Sequence, residues 1–268
     1  MEIGNLNTTI YKMSCNYHTH TKRCKHAIGS EEDYVLEAIK KNLTEIAISD
    51  HAPFPDNRFN FSRMDYSELD DYLSEIDRLN STYNINVLKS LEIEFFEDQI
   101  PYYRYLLEEK HLDYLLLGQH YFYCDNEYVS SFSFDNTKDS LNYARTIQKA
   151  LDTKLFKILA HPDVFMASGF TCDNYIDEAM DIIIAAAIKN DVYLEFNANG
   201  VRKGFIEVNN ELRYPYPSSA FWQKVAKTRA KIIINSDCHE PRYLVDQAVK
   251  DAYEYAKKLN LKVESKIY

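Results

Sequence analysis

Histidines and carboxylates recur in this chain at the ends of short apolar runs, in a spacing suited to holding metal ions. The first run ends in Asn16-Tyr17-His18-Thr19-His20 and the last in Asn235-Ser236-Asp237-Cys238-His239. Alternate side chains of a strand share a face, so His18 and His20 project together, as do Asp237 and His239. Seven of the eight histidines lie at or just past such runs: His18, His20, His26, His51, His120, His161 and His239. His111, in Glu108-Glu109-Lys110-His111, precedes a strand instead and reads as a cation at a helix C-terminus.

Glu92 and Glu94 both have the parity to face inward, and parity alone does not separate them. Asp50 either ligates or orients an imidazole from behind, as metal-bound histidines require. Asp237 is better placed for direct coordination because it shares a face with His239. Seven imidazoles with at least two carboxylates exceed one tetrahedral site and suit two or three ions sharing bridging oxygens. Nitrogen and oxygen ligation without thiolate points to divalent Zn, Mn or Fe rather than Ca or Mg. Cys24, two residues before His26, reads as a small buried apolar residue.

A second tract, Glu195-Phe196-Asn197-Ala198-Asn199-Gly200-Val201-Arg202-Lys203, places two cations just past a strand end. A guanidinium there could hold a phosphate through two parallel hydrogen bonds, the alternative being a solvated loop. Glu195 and Asn197 join Arg202 and Lys203 as candidate substrate contacts. Phe54, Tyr121, Phe122 and Tyr123 are secondary candidates for a stacking wall.

Strands are expected at residues 14–18, 45–49, 87–94, 114–118, 156–160, 192–197 and 231–236. Amphipathic helical patterns lie between them: 31–41, 66–79, 101–109, 138–151, 175–189 and 218–228, with 242–258 after the last strand. Ser30 and Asp33 form an N-cap signature for the first. This alternation means parallel strands with helical crossovers. No dinucleotide fingerprint follows the first strand, and every strand ends in polar chemistry. Function at all the carboxyl ends is the habit of an α/β barrel rather than of an open sheet.

At 268 residues the chain is expected to form one domain, 1–268. Five cysteines without a Cys-x-x-Cys pair argue against a disulfide framework and for a cytoplasmic setting. Met1-Glu2-Ile3-Gly4-Asn5 shows no secretory signal, and no apolar stretch is long enough for a membrane span. A net charge of -10 without a basic stripe argues against nucleic-acid binding. It is compatible with an anionic substrate, because three divalent ions among neutral imidazoles and two carboxylates would leave a local charge of about +4. Nothing in the sequence sets the oligomeric state.

The ordered series His18-Thr19-His20, Ser49-Asp50-His51, Ser90-Leu91-Glu92, Gly118-Gln119-His120, Ala160-His161-Pro162 and Ser236-Asp237-Cys238-His239 resembles the polymerase and histidinol phosphatase (PHP) superfamily of metal-dependent phosphoesterases. The resemblance implies an α/β fold, a distorted (β/α)7 TIM-like barrel with up to three metals at the C-terminal ends of its strands. Carried over by position, it implies His18, His20, Glu92 and Asp237 around one ion, with Glu92 bridging to a second held by His120 and His161. His26, His51 and His239 would hold a third. The family's Gly-x-Glu element selects Glu92 over Glu94, although Ser90 stands here in place of its glycine. Within the superfamily, Asp50-His51-Ala52-Pro53-Phe54-Pro55, Leu91-Glu92-Ile93-Glu94-Phe95-Phe96 and the Asn197 to Lys203 tract are similar to the histidinol-phosphate phosphatases of histidine biosynthesis.

The expected reaction is hydrolysis of L-histidinol phosphate to L-histidinol and phosphate by in-line attack of a metal-bridging hydroxide. Arg202 or Lys203 would add charge on the phosphate. Asp163, two residues after His161, is the candidate to serve the leaving alkoxide, and Asp163 or Glu195 the candidate to meet the substrate's ammonium. Alternatives are a related phosphatase acting on another phosphomonoester or on phosphotyrosine, a nuclease, and a non-catalytic module of the same fold.

Overall fold

Seven parallel strands form a sheet whose spatial order repeats their order along the chain: β1 (Cys15–Asn16), β2 (Glu45–Ile48), β3 (Asn86–Ile93), β4 (Tyr114–Leu117), β7 (Ile158–Leu159), β8 (Tyr193–Asn197) and β11 (Ile232–Asn235). The computed structural model describes residues 13–268. The expectation drawn from Met1 to Asn5 lies outside them. No reversal of strand order occurs, so the sheet curls toward closure instead of opening at a switch point. The first and last strands meet just past their ends, where Thr19 bridges Cys238 and the His20 N–H donates to the Cys238 carbonyl at 3.0 Å. At the other end Val263 of the C-terminal tail pairs beside Ile232.

The strands bury both faces, as parallel strands must. Their inward set, including Ala47, Leu88, Leu116, Ile158 and Ile233, packs into a cluster drawn from strand residues, their immediate continuations and Ile267, which fills the barrel. The alternate set, including Ile46, Ile48, Leu91, Leu115, Leu117, Phe196 and Ile234, packs against the helices. These are α1 (Glu31–Lys40), α2 (Leu69–Thr82), α3 (Ile100–Glu108), α4 (Asp139–Asp152), α5 (Asn174–Asn190), α7 (Ser219–Val225) and α8 (Gln247–Lys258). Ser30 and Asp33 close the expected capping box on α1. Among the described residues, no helix is long and apolar enough to cross a membrane.

The structure adds three elements to the expected set. Hairpin β5 (Tyr121–Cys124) with β6 (Glu127–Ser130) follows β4. A short helix, α6 (Ala198–Arg202), and a second hairpin, β9 (Ile206–Val208) with β10 (Glu211–Arg213), follow β8. Both hairpins turn on two residues at positive φ, Asp125-Asn126 and Asn209-Asn210, the backbone that a tight two-residue turn requires. The last helix begins at Gln247, capped by Asp246, rather than at Arg242.

Candidate metal centre

Inward parity carries past the end of β3 to place both Glu92 and Glu94 in the barrel mouth, where their surroundings separate them. The two oxygens of Glu92 face different groups. Oε2 lies 3.0 Å from His51 Nδ1 and 3.3 Å from the Nε2 atoms of His18 and His20. Oε1 lies 3.1 Å from His161 Nε2 and 3.4 Å from His120 Nε2. Asp237 Oδ1 stands across the first group, 3.3 Å from His20 Nε2 and 3.6 Å from His18 Nε2. His26 Nε2 and His239 Nε2 meet at 3.2 Å toward solvent.

Ligand atoms therefore gather as His18/His20/Asp237, His20/His51/Glu92, Glu92/His120/His161 and His26/His51/His239. Cys24 also comes within reach of His20 and His239, but its thiol is pushed up to about 12, first by burial and then by Asp50. The donor set fits divalent cations. Imidazole nitrogens 2.9 Å apart, as in His18 and His20, leave at most one proton between two lone pairs. Buried Glu92 Oε2, amid three imidazoles, makes no hydrogen bond. Polar atoms enclosed without partners are costly unless something else meets them.

Charge is distributed unevenly over the cluster. Burial works against a charge on His18, but Glu195, Asp237 and Glu92 outweigh it and hold the ring well above its ordinary value. His120 is raised in the same way, by Glu92 and Glu94 against burial. Burial and then the neighbouring His20 drive His51 down, and His239 down to about 3. Burial would raise Glu92 and Asp237, yet the surrounding imidazoles keep both well below the usual carboxylate range. His26 is lowered as well, first by burial and then by His20, so the outer three histidines favour neutral nitrogens, the form in which imidazole binds metal.

Buried groups behind the candidate ligands set their orientation. His18 Nδ1 meets Glu195 Oε1 at 2.8 Å, while Glu195 also accepts from the His161 N–H, Asn197 and Asn235. His120 Nδ1 meets Glu94 Oε1 at 3.1 Å, and Glu94 in turn is gripped by Arg63. Asp50 touches none of the imidazoles. It accepts from the Thr21 N–H at 2.8 Å and its hydroxyl at 2.7 Å, bracing the loop that carries His26, and burial pushes its carboxyl up to about 8. His161 and Asp237 have φ of 28° and 44°, strained backbone that persists only where the surroundings over-determine it. Ser90, in the glycine position of the family element, is buried and donates to the Tyr114 carbonyl.

An open cavity of about 250 Å³ covers the cluster; Arg63, Tyr121, Phe132, Asn199, Lys203 and Tyr216 complete its wall. Phe132 lies nearly parallel to His120, with ring centroids 5.8 Å apart, and Lys203 Nζ stands 6.0 Å from the Phe132 ring. A larger cavity of about 730 Å³, around Arg58, Phe96, Tyr123 and Tyr128, contains none of the candidate ligands and stands outside this chemistry.

Several expected substrate contacts are engaged by other partners in the fold. Arg202 does not offer a fork to phosphate: its N–H groups go to Asp246, Asn199, the Ser236 carbonyl and the Tyr243 carbonyl. Asn197 caps α6 through the Asn199 and Gly200 N–H groups and donates to Glu195 and Asp237. Glu195 is fully buried behind His18. Asp163, raised to about 6 chiefly by burial, lies outside the cavity wall and accepts from the Ser218 N–H. Phe54 and Phe122 belong to the core, and Tyr123 to the larger cavity. His111 is exposed beyond the end of α3 and away from the cluster, although its place after the helix is a left-handed turn rather than a helical cap. Arg63, Phe132 and Tyr216 are cavity residues that sequence reasoning missed.

Comparisons with known proteins bear on the family and the fold. The chain is 24% identical over 243 residues to the "Probable histidinol-phosphatase" of Deinococcus radiodurans, covering 85% of this chain and 86% of that one. It is 24% identical over 221 residues to the histidinol-phosphatase of Bacillus subtilis, covering 70% and 81%. Its fold matches histidinol phosphate phosphatase from Lactococcus lactis, solved with zinc, L-histidinol and phosphate, at a TM-score of 0.69 and 17% identity over 94% of this chain and 95% of that one. The PHP domain profile matches residues 16–199, more than half of the sequence, and the chain belongs to the PHP domain family.

Proposed function

We propose that this protein is a metal-dependent phosphomonoesterase that hydrolyses L-histidinol phosphate to L-histidinol and inorganic phosphate. The observation that carries the reading is the divided face of Glu92, one oxygen toward His18, His20 and His51 and the other toward His120 and His161, beneath a small open cavity. The activity named for the Bacillus subtilis relative and the molecules bound in the Lactococcus lactis structure supply the substrate.

His18, His20, Glu92 and Asp237 would hold one ion, Glu92, His120 and His161 a second, and His26, His51 and His239 a third. Bound there, Zn, Mn or Fe supplies Lewis acidity for the phosphoryl group and acidifies water at neutral pH. Glu195 and Glu94 keep His18 and His120 in the tautomer that leaves Nε2 free for the centre. Of the two cations expected to attract the phosphate, Arg202 and Lys203, Lys203 would do so from its place on the cavity wall. Tyr216, on the cavity wall and kept protonated because burial raises it well above its ordinary value, would donate its hydroxyl proton toward the leaving oxygen, the role expected of Asp163. Phe132 and Tyr121, aromatic members of the cavity wall, would pack against the substrate's imidazole and, by cation–π attraction, its ammonium.

The test is phosphate release from L-histidinol phosphate, with p-nitrophenyl phosphate in parallel, by chelated protein restored with Zn, Mn or Fe. Metal-dependent preference for histidinol phosphate is expected. Turnover of the aryl ester alone would remove the substrate from the proposal while keeping the centre, and no turnover with any ion would remove the enzymatic reading.

A further inference from the structure

We propose that Arg63 and Glu94 act as a pair of positioning residues that fix His120, and through it the ion position shared by Glu92, His120 and His161. The inference rests on the metal-centre reading above.

Both charges are out of water, Arg63 at 2% and Glu94 at 1% exposure. A buried ion pair confers no general stability advantage over apolar packing, so its presence calls for another account. The contact is two-pronged: Arg63 Nη1 donates to Glu94 Oε2 and Nη2 to Oε1, each at 3.0 Å. A fork of this kind sets the plane of the carboxylate as well as its place. The guanidinium is itself pinned, with Nη1 donating to the Ala52 carbonyl at 3.0 Å and Nε to the Phe59 carbonyl at 3.1 Å.

Glu94 Oε1, placed by that fork, receives the Nδ1 proton of His120 at 3.1 Å. This assigns the proton to Nδ1 and leaves the Nε2 lone pair aimed toward Glu92 Oε1. The other imidazole of the group has no such support, since His161 Nδ1 is buried without a hydrogen bond. Orientation of this ion position therefore depends on His120, whose ring is partly open at the mouth with Phe132 lying over it. Arg63 and Ser62 also line the cavity, so the segment that approaches substrate is the one that sets this ligand.

The experiment measures metal content and affinity. Wild type, Glu94→Gln, Arg63→Lys and the double variant are loaded with Zn, dialysed against a graded chelator, and assayed for bound Zn and for melting temperature in the metal-free form. Glu94→Gln is expected to lose one equivalent at a chelator strength that wild type withstands, with affinity for that ion lower by about 10–100-fold. Arg63→Lys keeps the charge but not the fork and is expected to lose the same equivalent. The double variant is expected to be no weaker than Glu94→Gln alone, the non-additivity of residues acting in series. Single variants that bind Zn as wild type does, with only the melting temperature lowered, would make the pair structural and overturn the proposal. Additive losses in the double variant would also overturn it, since Arg63 would then not act through Glu94. If wild type binds no Zn, the metal-centre reading fails first; if wild type binds and the variants bind equally, only the positioning role fails.

Discussion

A side-chain carbon on Gly118 would stand 2.0 Å from Oε1 of Glu92. The glycine leaves the space that the Glu92 carboxylate occupies. Gly118→Ala is expected to push Glu92 out of place, lowering metal-free stability by about 1–3 kcal/mol through overpacking and reducing Zn content. Elemental analysis with thermal melts checks this; full metal content in the alanine variant would mean that the carboxylate is free to move.

Glu195 is the counterpart of Glu94 on the other side of the cluster, behind His18. Glu195→Gln removes the charge and keeps the size, and is expected to weaken metal affinity by about 10–100-fold. A competitive chelator titration measures it, and wild-type affinity would show that His18 is oriented by its packing alone.

Arg202 and Lys203, adjacent in sequence, are expected to behave oppositely. Arg202→Ala leaves Asp246 and two carbonyls without their donor, so stability should fall by about 1–3 kcal/mol while KM holds. Lys203→Ala should raise KM for histidinol phosphate with little change in melting temperature. Denaturant unfolding beside steady-state kinetics separates the two, and a raised KM at constant stability in Arg202→Ala would return that guanidinium to the phosphate.

Tyr216→Phe removes one oxygen from the cavity wall. It is expected to lower kcat for histidinol phosphate by on the order of 10²-fold, with metal content unchanged. The deficit should shrink for p-nitrophenyl phosphate, whose leaving group does not need a proton, and equal losses on both esters would assign the hydroxyl to binding instead.

The pH dependence of stability carries a sign set by Glu94. Burial raises its carboxyl, but Arg63 and His120 bring it from the ordinary 4.5 down to about 2. A depressed value in the folded state means a contribution that is complete above pH 4.5 and lost as pH falls through about 2, worth about 3 kcal/mol. The gap in urea stability between metal-free wild type and Glu94→Gln should close across that window. A gap independent of pH would show that the carboxylate's packing, not its charge, matters.

Much of this was legible in the sequence for one physical reason. Barrel strands bury both faces, so runs such as Glu45 to Ile48 and Tyr114 to Leu117 stand out as apolar, and polar residues that interrupt them at their ends must face the mouth. Parity placed Glu92 and Glu94 inward together, and only the folded surroundings distinguish the one amid imidazoles from the one held by Arg63. The two hairpins had a signal in Asp125-Asn126 and Asn209-Asn210 that the strand and helix periods hid. Arg63 and Arg202 had none: each is defined by a carboxylate 31 or 44 residues away, and that depends on loop paths.

The seam between the first and last strands lies at the same end of the barrel as the candidate ligands. Asn16 reaches Ser236 across it, 220 residues apart in the chain, with His18 and His20 on one bank and Asp237 and His239 on the other. An ion gripping both banks would act as a clasp on a nearly closed hoop, restricting the unfolded chain in the manner of a long-range cross-link. Starved of metal, the molecule would be expected to spring first along that join, so that the supply of a trace element would govern how long it survives as well as how fast it works.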